Sequence, residues 1–344
     1  MNIKLPKVSI ITCTYNGERV IEDYFRYLFM QDYPLNKIEL IISDGGSIDK
    51  TMEIVNSYKK KYPRIIKIIP NKSKIKVGRG RGLDVVSRKA SGELMILIDQ
   101  DNLLFQKNWI KKMVEILLKY KNISGVQSML QAPRNSSLLD RYLNLIGIED
   151  PFAINYSLNS QISLNPHEFY FNKEEKFYIY EVNKKNFYYA GDNGFVIRKK
   201  DFFESGGYTQ DIDNFYRMAL SKKKYKIAVP KNIRLHHKSS TSLKHLIEKK
   251  GYYVKRYLLE NYSNREFYWF SFKKNNLSQN LKFIKTVIFY LSFFSQLIEG
   301  IKMYLKEKEP AWLIHPVATW LITIFYINFF LSSKISKKQK EAKL

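Results

Sequence analysis

Leu94-Met95-Ile96-Leu97-Ile98 runs directly into Asp99-Gln100-Asp101-Asn102. A short, continuously apolar run marks a strand buried on both faces of a parallel sheet. In such sheets ligands bind just beyond the carboxyl ends of the strands. Residues i and i+2 of an extended segment point the same way. Asp99 and Asp101 are therefore expected together at that edge, where a hard divalent cation and the phosphates it bridges could sit. Asp and Asn also serve ordinary strand-end turns, so the pair takes its meaning from its neighbours.

Upstream, strand and helix signals alternate. Val8 to Thr14 is β-rich and apolar, and Val20, Tyr24 and Leu28 follow helical spacing before Asp32-Tyr33-Pro34. Ile38 to Ile42 reads as a second strand, Thr51 to Tyr62 as a helix, and Ile65 to Ile69 as a third strand. Arg81 to Ala90 is a helix before the Leu94–Ile98 strand, and Trp109, Met113, Ile116 and Leu117 mark the next. This order predicts an α/β fold, a mostly parallel sheet covered by helices on both faces. Residues 130–190 are less regular and rich in Tyr, Phe and Asn, consistent with an irregular region over a cleft or with an aromatic packing layer. Helical character returns at Asp211 to Lys222 and Leu243 to Leu259, around a strand at Ile227-Ala228-Val229.

The 344 residues exceed one average domain, and 45% apolar content excludes general disorder. Net charge is +26, with 25 basic against 16 acidic residues in 1–150 and 33 against 16 in 151–344. Nucleic acid, an anionic membrane face or phosphorylated substrates would each account for that excess. Cys13 is the single cysteine, so no intrachain disulfide forms and a reducing compartment fits. Only Met1 to Lys7 precede the first strand, with no apolar segment of signal-peptide length, and a cytoplasmic main domain is expected.

The carboxyl end differs in kind. Ala311 to Leu331 is a 21-residue run without a formal charge, long enough for a bilayer core of ~30 Å. Phe283 to Leu305 is weaker: its uncharged centre, Thr286 to Ile298, covers 13 residues, although Lys285 and Lys302 could snorkel from a span. The tail from Lys334 to Lys343 carries five lysines and one glutamate and should stay cytoplasmic by the positive-inside rule. Two crossings, with Lys306 to Pro310 as the outer turn, satisfy these conditions, as would a re-entrant hairpin. A paired membrane hairpin is the expectation. The resulting domains are 1–265 catalytic (7–125 and 126–265 as its halves), 266–282 linker, 283–331 membrane hairpin (283–305 and 311–331) and 332–344 basic tail.

Four features fall at the same sheet edge: Thr14-Tyr15-Asn16, Asp44-Gly45-Gly46-Ser47-Ile48-Asp49, Gly78-Arg79-Gly80-Arg81-Gly82, and Asp99-Gln100-Asp101. With Gln31-Asp32-Tyr33-Pro34 in its expected place, Val8 to Ile54 strongly resembles the opening of family 2 glycosyltransferases. The resemblance covers residues 7–260 in detail. It implies a GT-A (Rossmann-like) fold, a nucleoside diphosphate sugar donor, and Mg²⁺ or Mn²⁺. Thr14, Tyr15 and Asn16 would line base and ribose, Asp44 would accept hydrogen bonds from the nucleobase, and Arg79 and Arg81 would brace phosphates, with Gly80 standing where the family has Asn. Asp101 would ligate the metal, and Asp99, with Gln100 between them, would position ribose or metal.

Further on, Ala190-Gly191-Asp192-Asn193-Gly194-Phe195, Arg198 and Gly206-Gly207-Tyr208 resemble the acceptor-side segment, with Asp211-Ile212-Asp213 where the family has an acidic pair. Asp213, with Asp211 in reserve, would be the base of an inverting reaction; a helix cap is the alternative use. Of His236 and His237, the latter is the better candidate for an added metal ligand. Lys249 to Arg256 lacks the QxxRW motif of processive members, which implies one sugar per encounter. The expected enzyme is a membrane-anchored inverting glycosyltransferase, with catalytic domain and tail cytoplasmic and a lipid-linked or cell-envelope glycan as acceptor. A polyprenyl-phosphate acceptor would need no base. Nucleotidyl transfer would require a Gly-rich basic loop after the first strand, which Thr12 to Gly17 lacks. A non-catalytic nucleic-acid-binding protein is the alternative of another class, but the basic residues are dispersed and no nucleic acid partner is expected.

Overall fold

The computed structural model describes residues 4–69, 78–147, 150–156, 169–174, 176–185, 191, 193–208, 213–238, 240, 242–254, 266 and 277–332. Along the chain these form β1 (Val8–Thr14), α1 (Ile21–Phe29), β2 (Ile38–Asp44), α2 (Thr51–Lys61), β3 (Ile66–Ile69), α3 (Gly78–Ser87), β4 (Leu94–Leu97), β5 (Asn102–Leu103), α4 (Trp109–Lys119), β6 (Gly125–Gln127), β7 (Met129–Leu130) and α5 (Leu138–Ile146). There follow β8 (Tyr170–Asn172), β9 (Phe177–Val182), β10 (Phe195–Arg198), α6 (Lys199–Glu204), α7 (Asp213–Leu220), β11 (Tyr225–Pro230), β12 (Arg234–His237), α8 (Leu243–Tyr253), α9 (Leu277–Leu291), α10 (Phe293–Glu307) and α11 (His315–Ser332). Two compact units result: residues 1–132 with 159–238, and residues 133–158 with 239–344.

In the first unit the main sheet orders β3-β2-β1-β4-β10-β6-β11-β9-β8. The half built from β3, β2, β1 and β4 is wholly parallel. Beyond β4 the sheet turns mixed: β10 is antiparallel to both β4 and β6, and β9 to both β11 and β8. The parallel character read from sequence thus dominates the βαβ half and returns only between β6 and β11 in the rest of this sheet. Val8, Ile10, Leu40, Ile42, Leu94 and Ile96 pack with α1, α2 and α4. The alternate residues Ile11, Ile41, Met95 and Leu97 are buried on the opposite face, where α3 lies against β1 and β2, as a period of two requires.

The edge away from the strand ends holds a buried acid. Glu39 accepts from Ser9 Oγ and from the Gly92 N–H at 3.2 Å, and pairs with Lys67 Nζ at 2.8 Å. Burial alone would push its pKa up, but Lys67, Ser9 and Ser91 outweigh it and bring the carboxyl from 4.5 to about 2.

The second unit is helical. Ser137 caps α5 by accepting from the Asp140 N–H at 3.2 Å, and Gly147 closes it at φ 69°. The segment 283–305, expected as one crossing, is divided: α9 and α10 meet at Ser292 with a bend of 81°. Pro310–Phe329 is long and apolar enough to cross a membrane, with half of its most apolar window buried among its neighbours. The Lys334–Lys343 tail, residues 255–259 and most of the 266–282 linker lie outside the described residues.

Candidate active site

Parallel register places the ends of β1, β2 and β4 side by side, with Thr14 opposite Asp44. At that edge Asp44 organises its own turn. Its Oδ1 accepts from Thr14 Oγ1 at 3.1 Å and Ser47 Oγ at 2.6 Å, while Oδ2 accepts from the Gly46 and Ser47 N–H groups, each at 2.9 Å. Four donors match the roughly four lone-pair sites of a carboxylate, so Asp44 folds the Asp44–Ser47 turn. Gly46 takes φ 92° there, a conformation glycine alone adopts at little cost. The same edge holds Asn16 at φ 45°; its N–H donates to Ser47 Oγ at 2.9 Å and its Oδ1 accepts from the Ile48 N–H at 3.0 Å.

Gln100 links β4 to β1. Its Oε1 accepts from the Tyr15 N–H at 3.2 Å and its Nε2 donates to the Tyr15 carbonyl at 3.0 Å. Tyr15 is thereby clamped through its backbone while the residue stays 39% exposed, and an aromatic side chain so placed can stack. Behind the edge, Tyr24 and Thr12 share a hydrogen bond of 2.6 Å. Burial, reinforced by the charge of Asp99, holds the Tyr24 hydroxyl far above its ordinary pKa despite that bond.

Asp101 meets His237 across a second, small sheet. β12 pairs antiparallel with β5 in the register His237 to Asn102 and parallel with β7. This brings His237 Nε2 to 3.4 Å from Asp101 Oδ2, while the Asp101 carbonyl accepts from the Lys238 N–H at 2.8 Å. Asn102, fully buried, closes the turn: its Oδ1 accepts from the Asp99 N–H at 3.2 Å, and its Nδ2 donates to Asp101 Oδ1 at 3.3 Å and Asn193 Oδ1 at 3.1 Å. Gln127 then fixes the loop carrying Asn193, accepting from the Gly191 N–H at 2.9 Å and donating to the Asn193 carbonyl at 2.8 Å. In that loop Gly194 takes φ 82°, and a Cβ there would stand 2.3 Å from Leu235 Cδ2.

Asp213 opens α7 and is 1% exposed. Its neighbour Asn214 donates to Ser205 Oγ at 2.8 Å and to the Gly207 carbonyl at 3.0 Å, and Arg217 donates to the Gly206 carbonyl at 3.0 Å. The Gly206-Gly207 turn, with φ 93° and 68°, is therefore the seat of the helix. Asp211 and Asp192 lie outside the described residues. Arg79 and Arg81 fall in the first turn of α3; their side chains are outside the described residues.

The family profile described as Glycosyl transferase family 2 matches residues 9–202, more than half of the chain. The chain belongs to this family. A dolichyl N-acetyl-alpha-D-glucosaminyl phosphate 3-beta-D-2,3-diacetamido-2,3-dideoxy-beta-D-glucuronosyltransferase of Methanococcus voltae is 24% identical over 325 residues, 91% of this chain and 92% of that protein. The poly(ribitol-phosphate) beta-N-acetylglucosaminyltransferase TarS of Staphylococcus aureus is 28% identical over 128 residues, 35% of this chain and 22% of TarS, so that match spans under a quarter of the relative. Among solved structures, the mannosyltransferase PcManGT from Pyrobaculum calidifontis, in complex with GDP-Man and Mn²⁺, superposes with a TM-score of 0.53. At 16% identity over 96% of this chain and 89% of that one, the likeness establishes the GT-A fold.

Within this family 2 site the donor chemistry suits a divalent cation. A carboxylate and an imidazole stand at hydrogen-bond range, with a second carboxylate two residues away. Among the described residues no three His, Cys, Asp or Glu side chains are grouped to cage an ion by themselves. The Asp101–His237 pair suits an ion of the Mg²⁺ or Mn²⁺ class, which takes one or two protein ligands and completes its shell with substrate phosphates and water. Sequence reasoning singled out Asp101 and His237 but passed over Asn102, Asn193 and Gln127. The amide Asn102 directly after the aspartates was the one signal available for them.

Proposed function

We propose that this chain moves a single sugar, with inversion, from a nucleoside diphosphate donor to a lipid-linked or cell-envelope glycan acceptor. The observation that carries the reading is the meeting of Asp101 with His237, on the edge where Thr14 and the Asp44 turn also lie. Asp101 and His237 would hold the cation and Asp99 would position the ribose; the imidazole favours Mn²⁺ over Mg²⁺. When bound, the ion supplies Lewis-acid stabilisation of the departing diphosphate. Thr14, Tyr15 and Asn16 line the nucleotide, with the Tyr15 ring stacked on the base and Gln100 holding the Tyr15 backbone in place. Asp44 offers Oδ1 to the base once the Ser47 hydroxyl turns aside, and Arg79 and Arg81 brace the phosphates. Asp213, or Asp211, takes the proton of the acceptor hydroxyl as the anomeric carbon is attacked from the opposite face.

The Methanococcus relative, whose match covers nearly the whole of both chains, is named for a sugar on a dolichyl phosphate, which supports a lipid-linked acceptor. The C-terminal helices would hold the enzyme at the cell membrane with the first unit and the tail in the cytoplasm. Screening membranes with a panel of nucleotide sugars, with and without Mn²⁺, tests the reading through release of nucleoside diphosphate. Metal-dependent release from at least one donor is expected, and release from none refutes it.

One observation favours a second reading. Asp213 is almost wholly enclosed, whereas a base must reach its substrate. A bare polyprenyl phosphate is already ionised and needs no base. Asp213→Asn should abolish transfer to a sugar hydroxyl; near-normal turnover supports the phosphate acceptor.

A further inference from the structure

The α9–α10 pair exposes an apolar surface that water disfavours. Leu281, Ile284 and Ile288 of α9 and Phe294, Ile298 and Leu305 of α10 are each about half exposed or more, Phe294 reaching 78%. We infer that α9 and α10 form a wedge that enters one leaflet of a bilayer and returns to the face it left, so that no crossing occurs between Leu277 and Glu307. The inference rests on the membrane anchoring proposed above.

Dimensions support a half-depth insertion. Each helix has 15 residues, a length of about 22 Å at 1.5 Å per residue. With the 81° bend, symmetric entry puts the apex about 15 Å deep, half of a ~30 Å hydrocarbon core. Backbone groups at such depth must be satisfied internally, and at this break the Ile288, Phe289 and Ser292 carbonyls are. The Ser292 N–H donates to the Ile288 carbonyl at 3.2 Å, Gln296 Nε2 to the Phe289 carbonyl at 3.0 Å, and the Ser292 and Ser295 hydroxyls pair at 2.8 Å. Gln296 is fully buried, its Oε1 3.1 Å from His315 Nε2.

The side on which the wedge emerges is set by α5. After α10 the chain is bound to that helix: Glu309 pairs with Arg141, and Tyr142 Oη lies 2.7 Å from His315 Nδ1 with its ring edge-on to Trp312. Helix α5 begins six residues after Ala132. Six extended residues reach about 20 Å, short of a ~30 Å core, so α5 stays on the face from which the chain approached it. The turn at 308–314 must lie there too. The far end of α11 is tied to neighbouring polar groups as well, through Tyr326 to Asp150 and Lys250 Nζ to Asp150 at 3.4 Å. Lipid, rather than another protein, is the fitting occupant because Lys282, Lys285, Lys302 and Lys306 stand exposed on the two legs, nearer the headgroups than the apex, where anionic phosphates would meet them.

The test uses the full chain with Cys13→Ser and one added cysteine, either Lys306→Cys at the carboxyl end of the wedge or Lys60→Cys on α2 as the cytoplasmic reference. A membrane-impermeant maleimide is applied to intact spheroplasts and to inside-out vesicles. Both positions are expected to be protected in spheroplasts and labelled in the vesicles, and the chain to resist a high-salt wash and leave only with detergent. Labelling of Lys306→Cys in spheroplasts overturns the wedge in favour of a crossing and leaves anchoring intact. Release by salt alone overturns the wedge in favour of surface attachment. A chain recovered as a soluble dimer overturns the wedge and the anchoring together.

Discussion

Substituting Gly17 by alanine should weaken nucleotide binding without touching the nucleotide. A Cβ at this position would stand 2.2 Å from Gln100 Oε1 and 2.4 Å from its Cδ, so the glutamine amide must leave. Its departure removes both hydrogen bonds to Tyr15, at 3.2 and 3.0 Å. Neutral hydrogen bonds contribute about 0.5–1.5 kcal/mol each. These two are exposed, so the lower half of that range applies, about 1–2 kcal/mol in total. If that energy holds Tyr15 ready for the base, the dissociation constant of the nucleoside diphosphate rises roughly 5- to 30-fold. Gln100→Ala should cause the same loss, because it deletes the same two bonds. The double variant should lose no more than either single one, since both act through one contact. Isothermal titration with UDP and GDP, in the presence of Mn²⁺, measures all three. Full additivity, or a Gln100→Ala enzyme with unaltered affinity, refutes the reasoning.

Three further outcomes are expected. His237→Ala should raise the Mn²⁺ concentration needed for half-maximal activity while leaving activity at saturating Mn²⁺ partly intact, whereas Asp101→Asn should leave little activity at any concentration; metal titrations of nucleoside diphosphate release check both. Asn102→Ala should destabilise the first unit by about 1–3 kcal/mol through the partners it strands and should raise the metal requirement, read from urea midpoints and the same titrations. Glu39→Gln should lower stability at pH 7: a carboxyl brought from 4.5 to about 2 corresponds to about 3 kcal/mol, reduced to about 2 because Lys7 and Lys67 are nearly half exposed and screened. Because the folded pKa is the lower one, this contribution is complete above pH 4.5 and disappears as pH falls toward 2. Urea midpoints of the two proteins should therefore converge on acidification, and a gap as wide near pH 3 as at pH 7 contradicts the assignment.

The elements legible in the chain were those with a one-dimensional signature. β1, β2 and β4 are buried on both faces, so their residues are mostly apolar, Ser9 and Glu39 apart, and the strands are legible to within a residue or two. β8 and β9 carry Tyr and Phe on half-exposed faces, which erases the alternation that would mark them. β12 ends in two histidines, a composition that suggests no strand at all. The helical break at Ser292 was likewise hidden, because a bend leaves no trace in hydropathy.

Local order alone established that Thr14-Tyr15-Asn16, the Asp44 turn and Asp99-Gln100-Asp101 follow neighbouring parallel strands, and the family the chain belongs to. This follows because parallel βαβ connectivity puts every strand end on one side. Which of those groups touch was decided by tertiary structure. His237 reaches Asp101 only through the β5–β12 register, and Asn102 meets Asn193 across 91 positions of chain. Asp44 spends its lone pairs on its own turn and on Thr14, and Asp213 is enclosed. Pairings between distant strands depend on the packing of the whole sheet, and no run of neighbouring residues encodes them.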